Sequence, residues 1–310
     1  MMSGYVDLQV NGYAGVDFNA MRLTDNDLVK ACQRIRNDGT EKFLATIITA
    51  PVDEMVAKIA RLARWLADVP EESRVLAGIH VEGPFINPAD GFVGAHPRAA
   101  VEPATVAAAD RLVEAGEGSV RMVTLAPEVD SDARVTRHLT DSGVVVAAGH
   151  SDASRDQLRR AIDNGLRLFT HLGNGCPADL PRHDNVIQRV LSLSDELLVS
   201  FIADGHHVPV FALRNYLRCI PTEHIVIVTD AISAAGLGPG TYELSGQTVE
   251  VDEHGAAWAA CRTHYAGCAS TFPQMIDVLK EGVGASDLDI QRWMTDNPKR
   301  LLSFLDAPRA

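Results

Sequence analysis

The sequence predicts a (β/α)8 barrel, and three observations carry that prediction. Short apolar runs rich in β-branched residues recur eight times along the chain. The segments between them show the apolar spacing of helices. The 310 residues exceed the roughly 250 that such a barrel needs, leaving a modest surplus.

Taken in order, the runs are Tyr5 to Asn11 (YVDLQVN), Phe43 to Ile48 (FLATII), Val75 to Glu82 (VLAGIHVE) and Val120 to Ala126 (VRMVTLA). Val144 to His150 (VVVAAGH), Leu168 to Leu172 (LFTHL), Leu198 to Ala203 (LVSFIA) and His224 to Asp230 (HIVIVTD) follow. Helix starts are marked by Thr24 before DNDLVKACQRI and by Ser154 before RDQLRRAI, and helix ends by Gly39, Gly116 and Gly165. After the eighth run, TYELSGQTVEVDEHGAAWAA shows short alternating stretches broken by Gly and Asp, read as a hairpin-like insertion at about 241–260. Helical periodicity resumes at Phe272 and again from Ser286, where Pro298 marks a break or the start of a new helix. No linker or charge block divides the chain, so one catalytic domain over 1–310 is expected.

Composition narrows the function. A 46% hydrophobic content excludes disorder, and 41 acidic against 28 basic residues give a charge of -13, which argues against nucleic acid and anionic membranes as partners. No apolar run approaches the roughly 20 residues of a membrane span, and MMSGYVDLQV is no secretory leader. The five cysteines are widely spaced without a CxxC pair, so neither a disulfide framework nor a thiolate zinc site is indicated. Cysteine usage and the N-terminus together suggest a cytoplasmic protein.

In a parallel barrel, catalytic groups come from the C-terminal ends of strands. Glu82 closes IHVEGPF, where the pleat sends His80 and Glu82 to one face; His150 closes AAGHSD, His171 closes FTHLGN and Asp230 closes VTDA. One carboxylate and two imidazoles match the His2Glu composition of catalytic zinc sites, with Asp230 free to act as base. In DLQVNG the pleat sets Asp7, Gln9 and Asn11 on one face, where a two-metal barrel hydrolase would carry an HxH pair. Gln9 and Asn11 argue for one metal. His138, His224, His254 and His264 are expected to be surface or structural, His80 to support the ligands, and Cys176 and Cys268 to lack a histidine partner for covalent catalysis.

The strings DLQVNGYAGVDFN, GIHVEGPFINP, GHSDAS, THLGNG, IADGHHV and VTDA, in this order, resemble the N-acetylglucosamine-6-phosphate deacetylases of the amidohydrolase superfamily. The resemblance spans essentially the whole barrel. It implies removal of the acetyl group from an N-acetyl amino sugar 6-phosphate, with Glu82, His150 and His171 as ligands of one divalent metal, usually zinc, and Asp230 as the catalytic aspartate. His96, in GFVGAHP, matches the histidine that contacts substrate near the scissile amide; Asn174, Gly175 and His207 match sugar-phosphate contacts. Arg182 falls where the family has an arginine reaching into the neighbouring subunit's site, which implies a homodimer.

Three departures accompany the resemblance. The chain starts directly at the first strand, so the family's small β-sandwich domain is expected to be absent. Cys268, in YAGC, stands where serine is usual, and Gly173 where an aromatic is common. These two leave the sugar epimer and phosphorylation open. Two other functions compete: another amidohydrolase specificity, such as a D-aminoacylase or cyclic-amide hydrolase, and a non-catalytic barrel that only binds.

Overall fold

The protein's structure is a computed structural model that describes residues 4–68 and 73–303. Eight parallel strands follow one another around a barrel. They are β1 (Tyr5–Val10), β2 (Thr40–Ile48), β3 (Leu76–Glu82), β4 (Val120–Leu125), β5 (Val145–Ala148), β6 (Leu166–Phe169), β7 (Leu198–Ile202) and β8 (Ile225–Val228). The seam between β1 and β8 is closed just past β8, where Val10 bridges Ala231 and the amides of Asn11 and Gly12 donate to the Ala231 carbonyl at 2.7 and 3.0 Å. β1 and β5 are buried throughout because one face of each fills the barrel and the other lies under helices, which accounts for the continuous apolar runs.

Two strands depart furthest from the sequence reading. β2 starts at Thr40, three residues before the expected Phe43. β6 covers Leu166–Phe169, so Thr170, His171 and Leu172 lie beyond it; the polar Arg167 hid its start, since an exposed residue between two buried leucines breaks an apolar run without breaking a strand.

The helices form where the capping signals are. Helix α1 (Asp25–Asn37) starts at a Thr24–Asp27 capping box and buries Leu28, Ala31, Cys32 and Ile35. After α2 (Val52–Ala67), α3 (Val106–Glu114) and α4 (Arg134–Asp141), helix α5 (Arg155–Asp163) starts at a Ser154–Gln157 box, and Gly165 follows it with φ +106. Helices α6 (Val186–Leu191) and α7 (Val210–Cys219) complete the run before β8.

The insertion is a hairpin with one strand more. β9 (Gly240–Leu244), β10 (Gln247–Val251) and β11 (Ala257–Ala259) form an antiparallel sheet whose inner residues Leu244, Val249, Val251 and Ala257 pack with Ile48 and Ile232 at the barrel mouth. Ser233 and Asp17 anchor it: the Ser233 hydroxyl donates to the Glu243 carbonyl at 2.6 Å and the Ser245 amide to Asp17 at 2.7 Å. The chain ends its described course in α8 (Phe272–Asp277), α9 (Asp287–Gln291) and α10 (Asn297–Ser303). Wider turns at Val278–Val283 and Arg292–Asp296 follow α8 and α9, and Pro298, lacking an N–H, falls in the first turn of α10.

Candidate active site

The four polar residues that close the apolar runs meet at one end of the barrel. Glu82 is the last residue of β3 and buried; its Oε1 lies 3.1 Å from His171 Nε2 and 3.5 Å from His150 Nε2. Burial alone would raise its carboxyl, but hydrogen bonds and charge from His150 and His171 outweigh this and hold it well below the usual carboxylate range. His150, His171 and Asp230 share a backbone feature that no periodicity shows: φ of +51, +34 and +50. Left-handed backbone costs a non-glycine residue about 1–2 kcal/mol, and here it turns each side chain inward just beyond its strand.

The donor set suits a divalent ion. Glu82, His150 and His171 each offer a ligand atom, all within 4.8 Å of one another. His150 Nδ1 donates to the Phe92 carbonyl at 2.8 Å, which fixes the tautomer and leaves the Nε2 lone pair facing Glu82. His171 Nδ1 is buried with no partner among the described residues, and its Nε2 faces Glu82. Two neutral imidazoles and one carboxylate are a borderline set that fits zinc.

Gln9 and Asn11 occupy the positions expected from the pleat and act as donors. Gln9 Nε2 spans Glu82 Oε1 (2.9 Å) and Asp230 Oδ1 (3.1 Å), while Asn11 Nδ2 donates to Asp230 Oδ1 at 2.7 Å. Asp230 keeps part of its surface open to the cavity; enclosure of the rest, reinforced by the Glu82 charge, raises its carboxyl to about 6. His96 is buried with Nε2 3.8 Å from Glu82 Oε2, and burial pushes its imidazole down to about 3. His96 Nδ1 lies 2.8 Å from the Thr49 hydroxyl and 3.4 Å from the Thr49 amide, which leaves Nε2 pointing to the site. His80 is buried between the Thr46 and Thr124 hydroxyls, at 3.3 and 2.8 Å.

Asn11, Glu82, His96, His150, His171 and Asp230 line a cavity of about 780 Å³ together with Asn174, Gly175 and His207. Asn174 turns back onto the His171 carbonyl, its amide nitrogens at 2.9 Å (backbone) and 3.3 Å (side chain). His207 Nδ1 donates to Asp204 Oδ2 at 2.7 Å, and this contact overrides burial to hold the Asp204 carboxyl near about 2. Arg182 is exposed on its loop and does not line the cavity. Several lining residues were not expected. Trp258 and Tyr265, their rings 4.4 Å apart, come from the insertion and the segment after it, and a tryptophan in a region read as a hairpin-like insertion was the available signal. His264, read as surface or structural, is exposed and also lines the cavity.

No family model matches the chain. Curated relatives do. The N-acetylgalactosamine-6-phosphate deacetylase of Escherichia coli O157:H7 is 31% identical over 96% of this chain and 77% of its own length. The N-acetylglucosamine-6-phosphate deacetylase of Danio rerio is 34% identical over 91% of this chain and 70% of its own. Among solved structures, the N-acetyl-D-glucosamine-6-phosphate deacetylase of Mycobacterium smegmatis, in complex with N-acetyl-D-glucosamine-6-phosphate, superposes with a TM-score of 0.88 at 30% identity, covering 97% of this chain and 77% of that one. Identity of this level, sustained across the barrel and matched by the superposition, has one consequence: the chain belongs to the N-acetylglucosamine-6-phosphate deacetylase family.

Proposed function

We propose that the protein hydrolyses the acetamide of an N-acetyl amino sugar 6-phosphate, N-acetylglucosamine 6-phosphate foremost, releasing acetate and the amino sugar phosphate. The observation that carries the reading is the meeting of Glu82, His150 and His171 on one cavity with Asp230, tied to Glu82 through the single Gln9 amide. Glu82, His150 and His171 would hold one divalent ion, zinc by its donor set, which when bound activates a water at neutral pH and polarises the acetamide carbonyl. Asp230, held by Gln9 and Asn11, takes the proton of the attacking water. It returns that proton to the amide nitrogen as the C–N bond breaks, since the amine cannot leave as an anion. His96 Nε2–H donates to the carbonyl oxygen as negative charge develops there.

Asn174, the Gly175 backbone and His207 would take the phosphate end. The reading includes a homodimer in which Arg182, exposed on its loop, reaches the phosphate in the neighbouring subunit, and a cytoplasmic location. Among the described residues no helix is long and apolar enough to cross a membrane.

The relative named for the galactosamine epimer favours testing both sugars. Acetate release is measured from N-acetylglucosamine 6-phosphate, its galactosamine epimer and the unphosphorylated sugar, before and after chelation. Release from a phosphorylated sugar, abolished by chelator and restored by zinc, is the expected result. No release from any of the three by metal-loaded protein removes the substrate assignment and points to another amide or to a barrel that only binds. Asp230→Asn is expected to keep its metal while kcat falls by about 10²–10⁴; full activity would remove Asp230 from the mechanism.

A further inference from the structure

A second cluster of metal-ligating side chains stands in the cavity wall. Asp204 and His207 lie in the loop after β7, and Cys268 lies beside the barrel seam, where its amide donates to the Asp230 carbonyl at 3.0 Å. The Asp204 carboxylate, the His207 imidazole and the Cys268 thiol place ligand atoms within 4.8 Å of one another. Asp204 is fixed from behind, its Oδ1 accepting the His206 and His207 amides, each at 2.9 Å. Its Oδ2 faces both other donors, 2.7 Å from His207 Nδ1 and 3.4 Å from Cys268 Sγ.

This layout repeats that of the first cluster, in which one oxygen of Glu82 is approached by His171 and His150 at 3.1 and 3.5 Å. In both, one oxygen of a carboxylate held by other groups is the point at which two further donors converge. The chemistry differs in one atom. Nitrogen, oxygen and sulfur together select a borderline-soft ion such as zinc over magnesium or calcium.

We propose that Asp204, His207 and Cys268 form a second, thiolate-containing site for a zinc-like divalent cation. On binding, the Cys268 thiol proton passes to solvent and the His207 proton moves from Nδ1 to Nε2, so one proton leaves per ion bound. One thiolate and one carboxylate then balance the ion's two charges, which suits a place where Cys268 and Asp204 are buried. Of the three, His207 lines the cavity. Occupancy also changes what His207 presents there: an Nε2 lone pair while Asp204 holds the Nδ1 proton, an Nε2–H donor once the ion holds Nδ1.

The sulfur makes the site visible apart from the first, whose donors are only nitrogen and oxygen. The full chain, stripped with chelator, is saturated with cobalt(II), and bound metal per chain is measured beside the near-ultraviolet thiolate-to-cobalt charge-transfer band. Two ions per chain with the band are expected for the native protein. One ion without the band is expected for Cys268→Ser, and an undiminished band for Cys176→Ser and for Glu82→Gln. Asp204→Asn, expected to lose the band as well, serves if Cys268→Ser does not fold. A single ion and no band in the native protein, as a hydrogen-bonded Asp204–His207–Cys268 network alone would give, overturns the proposal; so does a band that survives in Cys268→Ser.

Discussion

At His150 the site depends on what two neighbours lack. Gly175, with φ +59, lies so close that an added Cβ would sit 2.9 Å from His150 Nδ1, and Gly94, with φ +56, would bring one to 3.1 Å from Cε1. The imidazole is slotted between two bare backbones while Phe92 holds its Nδ1. Gly175→Ala therefore forces the ring to shift and adds about 1 kcal/mol of left-handed strain. Metal affinity is expected to fall about 10- to 100-fold, as when a ligand's orienting partner is lost, read by competition with a metal-sensitive dye; unchanged affinity would show that the slot does not orient the ligand. The three proposed ligands and Asp230 could be picked out in the sequence because each of the four stands at the close of an apolar run. The slot could not, because it depends on a ring brought from another strand end, and the sequence places Gly175 only with the phosphate. That the exposed His264 also lines the cavity escaped the sequence for the same reason: its nearest apolar run says nothing of the mouth to which the insertion folds back.

At the scale of elements, the barrel seam is where Asp230 acquires its backbone geometry. Thr229 Oγ1 donates to Asp7 Oδ2 at 2.6 Å and accepts the Ala231 amide at 3.1 Å, and the Thr229 amide donates to Asp7 Oδ1 at 3.2 Å. Asp7 thus holds Thr229 on one side of the left-handed Asp230, and the Thr229 hydroxyl holds the Ala231 amide on the other. Thr229→Val keeps the shape but leaves Asp7 and the Ala231 amide each short of a partner, at a cost of about 1–3 kcal/mol. It is expected to lower kcat more than it raises KM, with Thr229→Ser close to native; equal kcat in all three would confine the seam to a structural role. Burial raises the Asp7 carboxyl to about 7 against the opposing Thr229 and Gln9 hydrogen bonds. The folded value exceeds the unfolded value of about 3.9, so the stability contributed by Asp7 is fully present below about pH 4 and is lost as pH rises toward 7. Asp7→Asn should remove that slope, and denaturant midpoints across this window, relative to the native protein, should move in the variant's favour as pH rises. The inward face of Asp7 could be read from alternation; its partner could not, because the seam joins residues more than two hundred positions apart. The wide turns after α8 and α9 also escaped the sequence, since a segment of five or six residues such as these leaves the apolar spacing nearly unchanged.

For the molecule as a whole, the fold class was legible because eight repeats of one βα pattern add to a single signal, whereas the three-stranded sheet that roofs the mouth is a solitary element with no repeat to support it. That sheet brings Trp258 to the cavity, so the approach of a ligand depends on surface beyond the barrel itself. Charge acts at the same scale. A chain of formal charge -13 repels a sugar phosphate dianion from afar, while donors inside the cavity attract it at close range. The two effects separate with ionic strength: the Debye length is about 30 Å at 0.01 M and about 8 Å at 0.15 M, so salt removes the distant repulsion first. Hydrogen bonds from the site to the phosphate, at about 1.5–3 kcal/mol each where charge-assisted, survive that screening. For the phosphorylated substrate kcat/KM is expected to rise between these salt concentrations, whereas for the unphosphorylated sugar, which carries no charge to repel, it should stay level. A fall for the phosphorylated substrate would mean that the field at the mouth is positive despite the net charge, as a neighbouring subunit supplying Arg182 would make it, and the same series with Arg182→Ala would then turn from falling to rising.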